Sequence, residues 1–158
     1  MSAHLEATPT LNSEVGEALR RVDDPEYPGV SIVDLGLVAA VRIDGRCVEV
    51  DLIPTFSGCP ALAMIAADVS SALGQLESVD DVEVRFVATP VWSPARITPA
   101  ARRTMAEHFT VAVSSIGRPT RCPRCRATAL VEESMFGPVR CRSIYRCRTC
   151  GERVEVIR

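Results

Sequence analysis

Hydrophobic positions along the N-terminal part of this chain follow two alternating periods. From Asn12 to Val22, Val15, Leu19 and Val22 fall on one helical face. Val38 to Ile43 and then Cys47 to Leu52 (C-V-E-V-D-L) read as strands, the second alternating apolar and polar residues as a half-buried strand does. Asp44-Gly45 between them is a hairpin signal, and Gly36 ahead of them marks a bulge or tight bend. Ala61 to Glu77 returns to helical spacing, with Leu62, Ile65, Val69, Ala72, Leu73 and Leu76 in one stripe. A turn over Ser78 to Asp81 precedes a third strand, Val82 to Val87. Thr98 as N-cap and Pro99 behind it then open a helix running to Phe109. The order α-β-β-α-β-α predicts an α+β domain, a small α/β sandwich with a mostly antiparallel sheet and helices on one face. Residues 1–11 read as a flexible tail, 12–110 as this domain, 111–119 as a linker and 120–158 as a separate module.

Two segments fit neither period. Asp23 to Gly29 carries two prolines and a glycine that end the first helix, and it reads as a loop. Thr89 to Ile97 is too proline-rich for a central strand. It reads as an ordered loop, with Trp92 either packed on the core or lining a site.

Composition allows a core, with 47% hydrophobic residues but only 4% aromatic. No apolar run approaches the roughly 18 residues of a membrane span, and the N-terminus lacks the basic start and apolar run of a secretory signal. A cytoplasmic location and no membrane partner are expected. Charge is uneven: residues 1–116 hold 8 Arg against 16 Asp and Glu, a net of −8, while residues 117–158 hold 10 Arg against 4 Glu, a net of +6. Such asymmetry points to two domains with different partners.

The cysteines carry the candidate chemistry. Cys122-Pro-Arg-Cys125 and Cys147-Arg-Thr-Cys150 are two CxxC pairs, and each can form a knuckle presenting two thiolates. Together they predict a four-cysteine zinc ribbon with structural zinc at Cys122, Cys125, Cys147 and Cys150; an iron–sulfur cluster on the same thiolates is the rival. A segment this short buries little core, and a metal can replace one. Cys59 follows Pro54-Thr55-Phe56-Ser57-Gly58 and precedes Pro60, which suits a first helical position. A thiol there faces free N–H groups and the positive end of the macrodipole, which favour the thiolate; the alternative is a small buried hydrophobe. Asp23, Asp24 and Glu26 concentrate three carboxylates in their loop, or else simply cap a solvated turn. Cys141 is surplus: core, a reactive thiol or an occasional ligand. Cys47 has no assigned role. The arginines around the knuckles suit nucleic acid, or an acidic protein such as another copy's first domain.

Four segments in combination resemble the metal–sulfur cluster assembly factor family: Asp24-Pro25-Glu26, Val30 to Val38 (V-S-I-V-D-L-G-L-V), Pro54 to Pro60 (P-T-F-S-G-C-P) and Trp92-Ser93-Pro94. Phe136 to Cys147 (F-G-P-V-R-C-R-S-I-Y-R-C), attached to a four-cysteine ribbon, is similar to the D-type (or J-type) subunits of phenylacetyl-CoA epoxidase systems. Phe109 to Val113 departs from that pattern. The resemblance implies an accessory role in aerobic phenylacetate catabolism, assisting assembly or repair of an iron or iron–sulfur centre. It implies oxygenase and reductase subunits as partners, a homodimer, a functional thiol at Cys59 that holds iron or a cluster transiently, and Asp24 and Glu26 nearby. A structural subunit organising the complex is the alternative, and a nucleic-acid-binding regulator a lesser one. No ExxH di-iron pair and no Gly-rich flavin or nicotinamide motif is present, so a self-contained oxygenase is not expected.

Overall fold

Helical spacing in the first segment produces α1, Pro9–Arg20, in a computed structural model that describes residues 9–158. The helix begins ahead of residue 12, so residues 9–11 are not tail; the rest of the expected tail lies outside the described residues. The chain divides into two compact units, residues up to 54 with 60–91, and 55–59 with 92–158.

In the first unit, Val15, Leu19 and Val22 are buried as their spacing requires. The Asp23–Gly29 stretch, expected as a loop, instead forms a short antiparallel ribbon of β1 (Asp23–Asp24) and β2 (Tyr27–Ser31). Its turn is closed by the carboxylates themselves, Asp24 Oδ1 accepting from Glu26 N–H and Asp23 Oδ2 from Gly29 N–H, both at 2.8 Å. Next come β3 (Val38–Asp44), β4 (Cys47–Leu52), α2 (Ala61–Gly74) and β5 (Asp81–Phe86), with the sheet ordered β3-β4-β5. Gly45 takes φ 58 in the β3–β4 turn, a conformation that favours glycine. The β4–β5 pairing is parallel, because α2 carries the chain back before β5 starts. The α+β class stands, and this sheet is evenly mixed.

Alternation in β4 works as read. Val48, Val50 and Leu52 are at most 1% exposed and share the interior with Ile65, Val69 and Leu73 of α2. On the other face, Asp51 lies under two guanidinium groups, Arg42 at 2.7 Å and Arg85 at 3.0 Å. Arg42 first, and then Arg85, hold its carboxyl below the ordinary range against the cost of desolvation.

In the second unit, Trp92 is buried. Helix α3, Pro99–Phe109, starts where Thr98 Oγ1 accepts from Ala101 N–H at 3.2 Å. Residues 111–113, expected in the linker, form β6 (Val111–Val113), because Val111 and Ala112 are apolar and bury themselves. The rest of the sheet is β7 (Leu130–Ser134), β8 (Arg142–Cys147) and β9 (Arg153–Ile157), in the order β6-β9-β8-β7. β6 runs parallel to β9, and the other two pairings are antiparallel.

Candidate functional site

The two CxxC pairs fold as equivalent knuckles. Arg126 N–H donates to Cys122 O at 2.9 Å, and Gly151 N–H to Cys147 O at 2.8 Å. Both closing residues are left-handed, Gly151 at φ 77 and Arg126 at φ 65, so one knuckle uses glycine and the other strains an arginine. The four sulfurs all lie within 4.8 Å of one another. Cys122 to Cys150 is 3.8 Å and Cys125 to Cys147 is 3.5 Å. Four sulfurs at about 2.3 Å from a tetrahedral ion stand about 3.8 Å apart, so the group fits a metal ion with no open position. Cys122 and Cys147 are fully buried and shared with a small apolar core that includes Val154 and Val156. The backbone N–H of Cys150 holds the Cys147 thiol down to about 6. At Cys125 the N–H of Ala127 pulls the other way, but burial and the neighbouring sulfurs push that thiol up to about 12. The cluster shares protons unevenly, and a metal displaces those that remain.

Cys59 belongs to the second unit. It follows a tight turn in which its N–H donates to Phe56 O at 3.2 Å, and Pro60 caps α2 directly after it. A Cβ on Gly58 would stand 2.9 Å from the Phe56 ring, so a side chain there must push the ring aside. The guanidinium of Arg140 lies 5.9 Å from the centroid of that ring. Cys59 is half-buried, not enclosed in the core as its alternative reading held. Asp24 and Glu26 meet each other across the β1–β2 turn in the first unit. There Asp23, Asp24 and Asp68 line a cleft of about 480 Å³ together with Met64 and Arg21.

Sequence reading missed the Phe56–Arg140 contact, whose partners are far apart in the chain; Arg140 within the F-G-P-V-R-C run was the one available signal. It also missed how the ribbon spends its charge. Glu152 pairs with Arg124, Glu155 with Arg142, Glu133 with Arg146 and Arg153, and Glu132 with Arg158. Arg118, Arg121, Arg126, Arg140 and Arg148 keep no carboxylate partner among the described residues. Arg121 and Arg126 share a cleft of about 230 Å³ with Arg103 and Glu107 of α3. Among the described residues, no helix is long and apolar enough to cross a membrane.

An α+β domain with a cysteine-bearing loop, joined to a four-thiol ribbon, is the plan of a metal-handling protein. Residues 12–86 match the family described as iron–sulfur cluster assembly protein, and residues 107–158 match the PaaD zinc beta ribbon domain. A protein of Escherichia coli (strain K12), provisionally named as the D-type component of 1,2-phenylacetyl-CoA epoxidase, is 30% identical over 145 residues, 88% of this chain and 87% of that one. The Fe-S protein maturation auxiliary factor YitW of Bacillus subtilis (strain 168) is 37% identical over 93 residues, 58% of this chain and 90% of its own. A crystal structure of the domain of unknown function DUF59 from Bacillus anthracis superposes with a TM-score of 0.58 at 32% identity, covering 62% of this chain and 93% of that one. The chain belongs to the iron–sulfur cluster assembly protein family, in the branch that carries the PaaD zinc β-ribbon.

Proposed function

We propose that this protein is an accessory maturation factor for a phenylacetyl-CoA epoxidase system, assisting assembly or repair of an iron or iron–sulfur centre in its oxygenase or reductase. The observation that supports it best is the joining of a Cys59 loop and a four-thiol ribbon in one chain, matched over 88% of its length by the Escherichia coli protein. In this reading Cys59 binds the cargo for a short time. A single protein thiolate leaves most coordination positions open, which suits handover to a client rather than storage. The ribbon holds a structural zinc, because a closed shell of four thiolates offers no position to a substrate. Metal analysis is expected to give one zinc per chain and a colourless protein; a brown chromophore lost with Cys122→Ser would place an iron–sulfur cluster there instead.

The test compares oxygenase and reductase produced beside the wild-type protein or its Cys59→Ala variant. Reduced iron content and activity of the clients with Cys59→Ala is the expected result, and equal content and activity overturns the reading. A second reading, a permanent subunit that organises the complex, is favoured by the five ribbon arginines left without a carboxylate partner. It requires a stable stoichiometric complex whose activity ignores Cys59.

A further inference from the structure

We propose that the arginine-lined cleft between α3, β6 and the first knuckle is a docking pocket for a carboxylate side chain, presented by an acidic segment of a partner protein. This holds for a maturation factor and for a permanent subunit alike, since each must grip another protein. It starts from a difference between the two knuckles. They close with equivalent hydrogen bonds, yet Gly151 fills the left-handed position of one and Arg126 that of the other. Glycine takes that conformation freely and arginine does not. Strain kept at one of two equivalent positions points to use of the side chain, and Arg126 lines the cleft.

Four arginines line that cleft, Arg102 and Arg103 from α3 and Arg121 and Arg126 from either side of the knuckle, against one carboxylate, Glu107. Arg102 is tied to neutral acceptors, donating to Pro94 O at 2.6 Å, Ser115 Oγ at 3.1 Å and Ile97 O at 3.2 Å. Arg121 donates to Arg126 O at 3.2 Å. These bonds hold two of the guanidinium groups in place and leave their charge uncompensated. Among the described residues, no ion pair joins any of the four to a carboxylate. Ala106, Val111 and Ala112 complete the lining with apolar surface.

Size and lining select the occupant. At about 230 Å³ the cleft is smaller than the roughly 300–1,000 Å³ of sites that enclose a cofactor-sized molecule, and it suits one or two side chains. A guanidinium fork matches a carboxylate with two parallel hydrogen bonds, and the apolar lining suits the methylenes that carry it. A nucleic-acid backbone is gripped through many phosphates along a surface rather than in one pocket, and Glu107 repels them here. The arginine surplus of residues 117–158 draws the same acidic surface in from a distance, and the cleft fixes where it seats.

The test uses the full chain with its ribbon metal loaded and a fluorescein-labelled oligoglutamate peptide, read by anisotropy at low ionic strength. Arg103→Ala, Arg126→Gly and Arg140→Ala each remove one positive charge, the last from a residue that does not line the cleft. The two cleft variants are expected to weaken binding about 10–100-fold, as loss of a charged hydrogen bond does, and Arg140→Ala by less than about fivefold. Arg126→Gly also relaxes the left-handed position, so its loss of affinity does not come from a less stable ribbon. Glu107→Gln is expected to tighten binding by about two- to fivefold, a gain that unfolding does not mimic. Equal losses in all three arginine variants, undiminished binding by Arg126→Gly, or unchanged or weaker binding by Glu107→Gln overturns the pocket. Inorganic phosphate or a short DNA duplex that binds the cleft more tightly than the peptide overturns the protein partner. Light scattering that shows a dimer broken up by Arg126→Gly gives the cleft to a second copy and overturns it too.

Discussion

Gly58 and Arg126 set the stakes at the scale of single residues, in opposite senses. Gly58→Ala drives a methyl into the Phe56 ring, which must rotate or shift away from Arg140. On the proposed function, the expected result is impaired client maturation with little change in the metal content of the ribbon, read by metal analysis of both. Arg126 occupies the left-handed position that Gly151 fills in the other knuckle. Arg126→Gly is therefore expected to relieve about 1 kcal/mol of backbone strain, and Gly151→Ala to add about 1–2 kcal/mol. Rates of loss of the ribbon's metal to a chelator check both signs. Asp51 provides the pH dependence. Its folded carboxyl is held low, so its stabilising contribution is present above the ordinary carboxylate range and disappears as pH falls through the folded value. Asp51→Asn should flatten the acid limb of stability, followed by urea midpoints from about pH 7 down to about pH 2.

Among the elements, those with strong local signals were legible in the sequence. Thr98 and Pro99 announced α3, and C-V-E-V-D-L gave the face of β4 because alternation is a local property. The knuckles were legible for the same reason, since CxxC brings two sulfurs together regardless of what surrounds it. Three things were not. The β1–β2 ribbon depends on Asp23 and Asp24 accepting from particular N–H groups of the turn, which a proline-rich string does not disclose. The strand at Val111–Val113 is too short to show a period, and its partner β9 lies about 40 residues downstream. The Phe56–Arg140 contact joins two turns far apart in the chain and has no periodicity at all. One expected outcome belongs at this level. Cys122→Ser should expose the amides of β6 to hydrogen exchange together with those of β7–β9, because β6 is a strand of the ribbon's own sheet rather than a tether to it.

For the whole molecule the dominant fact is the charge split, −8 over residues 1–116 and +6 over residues 117–158. Every glutamate of the ribbon is spent on an arginine of the ribbon, so its surplus is arginine with nothing local to neutralise it. Association with an acidic client should weaken steeply as salt rises, and paired Arg121→Ala and Arg148→Ala changes should reduce that dependence; binding isotherms at several ionic strengths would show it. The parallel partnership of β6 with β9 has a further, polymer-like consequence. Val113 and its partner Ile157 must find each other across about 44 residues of chain. A metal held by Cys122, Cys125, Cys147 and Cys150 would pin the middle of that span and leave about 16 residues free, lowering the closure cost by about 1 kcal/mol. The ion therefore works at a distance as a chain-shortening device, making the last strand's search for its partner a short one.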